Sequence, residues 1–146
     1  MLKISTKGRY GVRLMLELAV NYGKGLVALK DVARRQEISE KYLEHLIVPL
    51  KKEKLIRSGR GARGGYMLAK DPGSISLREI IAAVEGPVCI AACAKNPSSC
   101  RRSRGCLSRR VWGELSEKIS GILSGLTLKK IIEDKKPDAG EFCYAI

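Results

Sequence analysis

Four cysteines lie within eighteen residues of one polar stretch, and thiols at this density are candidate ligands of a metal centre. They are Cys89, Cys93, Cys100 and Cys106. The residues between them include Gly, Pro, Asn and Ser, which favour turns over a packed core. No acidic residue occurs between Glu85 and Glu114. We therefore interpret this stretch as a chelating or redox-active loop.

Three chemistries compete for these thiols. Zinc sites usually take two ligands from a Cys-x-x-Cys knuckle, whereas the gaps here are three, six and five residues, so zinc fits poorly. A disulfide relay stays open if the protein senses oxidants. We favour an iron–sulfur cluster, which accepts wider gaps, and whose thiolates are stabilised by nearby positive charge. That charge comes from Lys95, Arg101, Arg102, Arg104, Arg109 and Arg110.

Length and composition favour one small helical protein. The chain has 146 residues, which fits one domain or one domain plus a dimerisation element. With 45% apolar and only 5% aromatic residues, the predicted core is aliphatic. Neither a signal peptide nor an apolar run of about 20 residues is visible, so we expect a cytoplasmic protein without a membrane partner. Disulfides are unusual in that compartment, which again favours metal or redox roles for the thiols.

Positive charge is concentrated in the first half of the chain. The formal net charge is +13; residues 1–72 carry 16 Lys/Arg against 7 Asp/Glu, and residues 73–146 carry 12 against 8. Such an excess indicates a polyanionic partner, with nucleic acid ahead of a membrane. The alternative is a basic protein whose charge serves solubility alone.

The hydrophobic pattern of the first half predicts three helices followed by a β-hairpin. In order, these are a helix from Ser5 or Thr6 to Gly23, a helix over 29–36, a helix capped by Ser39 and kinked or disturbed by Pro49, and a hairpin over 55–68 with a glycine-rich basic tip. Three helices and a hairpin in this order predict a winged helix-turn-helix, a mainly α (α+β) fold.

The second half predicts a helix, the cysteine loop and a longer helix. Ser76 and Glu79 form a capping-box pattern, and Gly86-Pro87 ends the helix that they begin. The cysteine loop covers 86–106. After it, apolar residues at helical spacing predict a long helix up to Gly125, followed by a short one from Leu128 to Ile132 and a tail over 133–146, in which we interpret Cys143 as an idle thiol.

A helix-turn-helix places its second helix in the major groove, where residues near the N-terminus reach base edges. The candidates here are Ser39, Lys41, Tyr42, Glu44 and His45. Arg60 and Arg63 at the hairpin tip suit minor-groove insertion. Phosphate contacts are expected from Lys3, Lys7, Arg9 and Arg13. The alternative for each is an ordinary solvated surface, and we favour DNA binding because charge and element order agree.

Three motifs resemble the bacterial family of IscR, NsrR and CymR regulators. They are residues 5–10 (STKGRY), 38–44 (ISEKYLE) and 60–66 (RGARGGY). The resemblance extends from Met1 to about Ile132. It implies a homodimeric winged-helix transcription regulator, with a DNA-binding domain over 1–72 and, over 73–132, the cysteine loop and a long helix that forms the dimer interface.

The resemblance also implies which thiols hold a cluster. Members with these cysteines bind an iron–sulfur cluster through three of them, which match Cys93, Cys100 and Cys106. The IscR branch adds a histidine three residues after the third cysteine, but Arg109 stands there and is a poor ligand. The NsrR branch takes a carboxylate from the first helix, where this chain has Lys7, Gly8 and Arg9. Cys89 is the natural substitute for the fourth ligand.

We therefore expect a regulator that binds a double-stranded DNA operator and senses iron–sulfur cluster status, controlling cluster assembly or related genes. Four thiolates suit 2Fe-2S and 4Fe-4S alike, and we favour 2Fe-2S. The alternative is a cluster-free, CymR-like repressor controlled by a protein partner or by thiol redox state; residues 142–146 resemble the ending of that branch. We expect neither an enzyme nor a small-molecule substrate, because His45 is the only histidine and no nucleophile–base pair is apparent.

Overall fold

The computed structural model describes residues 3–60 and 64–134. Its helices and strands are, in order, α1 (Thr6–Val20), α2 (Leu29–Gln36), α3 (Glu40–Lys52), β1 (Ile56–Gly59), β2 (Gly65–Leu68), α4 (Leu77–Glu85), α5 (Ala92–Lys95), α6 (Leu107–Gly125) and α7 (Leu128–Asp134). Single 3-10 turns lie at Pro72–Ser74, Pro97–Ser99 and Ser103–Gly105. The predicted mainly helical fold with a small hairpin is confirmed.

Side-chain caps begin two of the first three helices, α1 and α3. The Ser5 hydroxyl accepts a hydrogen bond from the Gly8 N–H at 3.2 Å and begins α1. α1 ends at Val20, three residues before the predicted Gly23, and the following Asn21 donates its side-chain amide to the Glu17 carbonyl. Ser39 caps α3 in the same way as Ser5 caps α1. The predicted order of three helices before the hairpin is therefore confirmed in detail.

α3 continues through Pro49 to Lys52, so the proline does not end the helix. Proline lacks the N–H that would bond the carbonyl four residues earlier, at His45. His45 itself lies on the exposed face of the helix. On the opposite face, Leu43, Leu46, Ile47 and Leu50 are buried in the core, and this packing holds the helix across the proline.

The hairpin is the predicted wing. β1 and β2 pair antiparallel, from Ile56 opposite Leu68 to Gly59 opposite Gly65. Val27 adds a short bridge to Tyr66 through two backbone hydrogen bonds of 2.9 Å each. Arg63 and the tail residue Cys143 lie outside the described residues.

α4 and α7 pack into the same core as the three N-terminal helices. Ser76 and Glu79 form the predicted capping box at the start of α4. α7 is tied back to α4 by hydrogen bonds from the Leu128 N–H to the Ile75 carbonyl and from the Leu77 N–H to the Leu126 carbonyl, both 2.9 Å. Between α4 and α7 the chain leaves the core, and on the 19-residue helix α6 only Ser116 is buried.

None of the helices within residues 3–60 and 64–134 is long and apolar enough to cross a membrane.

Candidate metal centre and nucleic-acid interface

The cysteine stretch is a chain of short turns rather than one open loop. Cys93 lies on the single-turn helix α5, Cys100 follows the turn at 97–99, and Cys106 immediately precedes α6. α5 contacts the turn at 97–99, which contacts the turn at 103–105. With Cys89, all four thiols are free and partly exposed. Three of the predicted ligands therefore sit on consecutive turns that touch one another.

Cys106 has the environment of a thiolate. Its Sγ lies 3.1 Å from the Ser108 hydroxyl, and that bond, with the Arg109 backbone N–H, lowers the pKa of the Cys106 thiol. The thiol also stands at the N-terminus of α6, whose first turn has no acidic residue. A helix N-terminus favours negative charge. These features favour the ionised form of Cys106, which is the form that binds a metal.

Arg109 ties the turns together. Its Nε donates to the Cys93 carbonyl at 2.9 Å, and one terminal nitrogen reaches the Ser103 carbonyl at 3.4 Å. Ser116 connects the start of the stretch to α6, because its hydroxyl accepts from the Ile90 N–H at 3.1 Å and donates to the Trp112 carbonyl at 2.7 Å. Neither role was predicted, since spacing does not distinguish these residues from other arginines and serines.

The thiols are not drawn together into a finished site. In the part of the chain that the structure describes, no three Cys, His, Asp or Glu side chains converge as metal ligands do. The donor set nevertheless suits an iron–sulfur cluster in its chemistry. Four free thiols are carried by one basic segment, and hydrogen bonds from Ser108 and the Arg109 backbone lower the pKa of the Cys106 thiol.

On α3, four of the five predicted base-reading residues form a solvent-facing surface. Ser39, Lys41, Glu44 and His45 are exposed. One turn further along, Val48 is 69% exposed, although it was not among the predicted residues. The sequence signal for it was available, because Val48 stands outside the 43, 46, 47, 50 spacing of the buried face.

The fifth predicted residue, Tyr42, packs between α3 and α1. It is partly buried, and its ring meets the Tyr10 ring edge to face, with centroids 5.5 Å apart. The Arg13 guanidinium lies over the Tyr10 ring, 5.3 Å from the ring centroid. A contact from Tyr42 to DNA stays a prediction, alongside this packing role between α1 and α3.

Arg13 is engaged inside the protein. Its guanidinium donates to the Gln36 side-chain oxygen at 2.8 Å and to the Gln36 carbonyl. Gln36 in turn donates to Glu17 at 2.7 Å, and Glu17 also pairs with Arg35 at 3.3 Å. This network fixes α1 against the turn between α2 and α3, and thereby orients the N-terminus of α3.

The remaining predicted DNA contacts lie on the surface. Lys7 and Arg9 are exposed in the first turns of α1, as is Lys3 before it. Arg60 is exposed at the end of β1, next to residues 61–63, which include Arg63 and are outside the described part.

Glu85 connects the cysteine stretch to the basic N-terminus of α1. It is the last residue of α4, and its carboxylate accepts a hydrogen bond from the Ser5 hydroxyl at 2.6 Å. It also lies against Gly8, where a Cβ atom would collide with it. The next residue, Gly86, has a φ of 94°, a conformation that favours glycine, and opens the cysteine stretch. Glu85 is therefore the single residue that links the cysteine stretch, which begins at Gly86, to Ser5, the N-cap of α1.

A helix pair with an exposed polar second helix, followed by a hairpin wing, is the arrangement of a winged helix-turn-helix. The family model described as Rrf2, iron-dependent transcriptional regulator, matches residues 4–134. The chain belongs to the Rrf2 family. It is 39% identical over 135 residues to the HTH-type transcriptional regulator IscR of Klebsiella pneumoniae, a match that covers 92% of this chain and 82% of that protein.

Two solved structures are similar over nearly their whole length. T. potens IscR superposes with a TM-score of 0.78 at 37% identity, covering 96% of this chain and 93% of that one. CymR (YrzC), described as the global cysteine regulator of B. subtilis, gives a TM-score of 0.77 at 36% identity, covering 93% of this chain and all of that one. The family and the fold are therefore established, while both kinds of regulator stand equally near.

Proposed function

We propose that the chain is a DNA-binding transcription regulator that senses iron–sulfur cluster status and controls genes for cluster assembly or related functions. The observation that carries this proposal is the set of four free thiols in the stretch before α6, three of which lie on consecutive turns that contact one another in sequence. The family description as iron-dependent and the identity to IscR support it. A bound cluster supplies a group whose presence varies with iron supply and oxidants.

Cys93, Cys100 and Cys106 are the proposed ligands, with Cys89 as the fourth. Arg109 holds the Cys93 and Ser103 carbonyls and is thereby occupied as a structural tie. Cys89 is at present bonded to the Ala91 carbonyl through its thiol, at 3.0 Å. Ligation would replace that weak bond, which makes Cys89 an easily recruited donor. We favour a 2Fe-2S cluster.

The proposed DNA surface combines α3, the wing and the start of α1. Ser39, Lys41, Glu44 and His45 would meet base edges in the major groove, where Glu accepts from cytosine and Ser or His meets purines. Arg60 would enter the minor groove beside the wing, and Arg63 is proposed to join it. Lys7 and Arg9 would bind phosphates.

A second copy of the chain is the proposed partner of α6. Four of its large apolar side chains are exposed in the single chain: Leu107, Val111, Trp112 and Ile122. Leu107 is 76% and Ile122 66% exposed. Exposing these apolar side chains to water is unfavourable, and packing against a second helix would remove them from water. Light scattering should give the mass of a dimer, and Val111→Glu should shift it towards the monomer.

Glu85 is the proposed route from the thiols to the DNA surface. Residues 86–106 would be arranged differently with and without bound cluster, because the thiols do not yet converge. Glu85 would pass that difference to Ser5 and to the basic first turn of α1. Regulation by this route requires that the two forms differ in operator affinity.

Anaerobic purification followed by cluster reconstitution tests the cofactor. We expect a coloured protein that contains iron and sulfide, and a clear loss of both in Cys89→Ser and in Cys106→Ser. Cys143→Ser is the matched control, and it should keep the wild-type spectrum. Colourless wild-type protein without iron after reconstitution would sink the proposal, while an unchanged Cys89→Ser spectrum would move the fourth ligand elsewhere.

The second candidate is a cluster-free repressor controlled by a protein partner or by thiol redox state. The similarity to CymR at a TM-score of 0.77 favours it as much as the IscR similarity favours the cluster. Metal-free protein that co-purifies with a stoichiometric partner, or that changes DNA affinity on thiol oxidation alone, would select this alternative.

A further inference from the structure

Val48 is an apolar side chain on the wrong face of α3 for a core residue. The aliphatic residues Leu43, Leu46, Ile47 and Leu50 are buried, whereas Val48 is 69% exposed. Helix propensity does not account for a valine here either, because β-branched residues are weaker helix formers than the Lys or Glu that an exposed position accepts. Its side chain is therefore free to make a contact outside the protein, and what it contacts depends on the residues beside it.

The residues around Val48 on α3 indicate what kind of surface it contacts. It follows Lys41, Glu44 and His45 by seven, four and three residues, so all four side chains lie on one face of α3. Lys52 continues the same face one turn later and is exposed. The exposed face of α3 thus carries polar and cationic side chains with one apolar side chain, Val48, among them. Such a face is complementary to an anionic surface that also presents isolated apolar groups.

The major groove of DNA is such a surface. Its base edges present donors, acceptors and one apolar group, the C5-methyl of thymine, and aliphatic side chains distinguish thymine by contact with it. Val48 lies four residues beyond Glu44, about 6 Å along the helix axis. That is roughly two base-pair steps of 3.4 Å.

We propose that Val48 contacts a thymine methyl about two base pairs from the pair read by Glu44, and so determines operator specificity. The inference rests on the proposed DNA-binding role of α3. It adds thymine to the bases that this helix selects.

The test replaces single methyl groups in the operator. Operator duplexes are first selected from genomic fragments with the wild-type protein. Each dT of a half-site is then changed to dU, which removes the C5-methyl and leaves base pairing unchanged. Dissociation constants are measured by fluorescence anisotropy for wild type, Val48→Ala and the control Tyr22→Ala, which removes another exposed large side chain away from α3.

With wild type and Tyr22→Ala, one dU position should weaken binding roughly fourfold, the value of one buried methyl group. With Val48→Ala, binding to the dT operator should weaken several-fold and the dU effect at that position should disappear. A dU profile unchanged in Val48→Ala would overturn the inference and indicate a protein partner for Val48. A wild type that binds no duplex would overturn both this inference and the proposed function.

Discussion

Replacing Arg109 by leucine should loosen the cysteine stretch without unfolding the protein. Leucine keeps part of the side chain's bulk but removes the guanidinium that donates to the Cys93 carbonyl at 2.9 Å and, more weakly, to the Ser103 carbonyl at 3.4 Å. Both carbonyls belong to turns outside the buried core. We therefore expect a local effect between Cys93 and Cys106 and little change in the overall melting temperature.

The size of the effect follows from the geometry. A hydrogen bond from a charged donor contributes about 1.5–3 kcal/mol, and the long second bond adds little, so about 2 kcal/mol of local stability should be lost. At 1.4 kcal/mol per factor of ten, amide hydrogens of the stretch should exchange roughly 30-fold faster. Hydrogen exchange with mass spectrometry on cluster-free protein measures this directly.

Arg110→Leu is the matched control, because Arg110 is the exposed neighbour of Arg109 on the same helix. Its exchange should stay within a few-fold of wild type. Equal exchange rates in Arg109→Leu and wild type would show that the arginine does not hold the turns, and would refute the role assigned to it.

Four further outcomes are expected. Ser76→Ala removes the cap of α4 and should lower the free energy of unfolding by about 1 kcal/mol in a urea titration. Partial burial raises the pKa of Glu79, but hydrogen bonds from Ser76 and the charge of Lys70 outweigh it, so the pKa lies below 4.5. Glu79 therefore makes its full contribution to the free energy of unfolding above pH 4.5, and this contribution is lost as the pH falls through the lower pKa of Glu79 in the folded protein. Glu79→Gln should remove this loss of stability at acidic pH. Arg60→Gln should reduce the slope of log affinity against log salt by about one for each bound subunit, which is about two for a dimer, and an unchanged slope would contradict its phosphate or groove contact. Glu85→Ala should bring the operator affinities of the cluster-free and cluster-bound forms closer together, measured by anisotropy under anaerobic conditions.

Much of the fold follows from local patterns. The spacing of Leu43, Leu46, Ile47 and Leu50 predicted the buried face of α3, and the Ser76 capping box marked the start of α4. These signals are reliable because each depends on residues within one or two turns of one another. Pro49 lies inside α3, which continues to Lys52, and the predicted kink or local disturbance at this residue stays a prediction.

The sequence predicted which residue types form the candidate site, but it did not predict the hydrogen bonds that join them. The four cysteines stand out by density alone, but the Arg109 bonds to two carbonyls and the Glu85 bond to Ser5, 80 residues apart, depend on tertiary structure. Tyr42 shows the same limit on α3, because periodicity cannot tell a half-buried ring packed on Tyr10 from an exposed one.

The most direct test of the account measures operator affinity for one anaerobic preparation before and after its iron is removed by chelation. A regulator that senses its cluster through Cys93, Cys100 and Cys106 should show an affinity ratio of about 5- to 150-fold, the usual range of coupling between two sites. The triple variant with serine at these positions should bind like the iron-free form throughout. Identical affinities of the iron-loaded and iron-free wild type would contradict the claim that the cysteine stretch controls DNA binding.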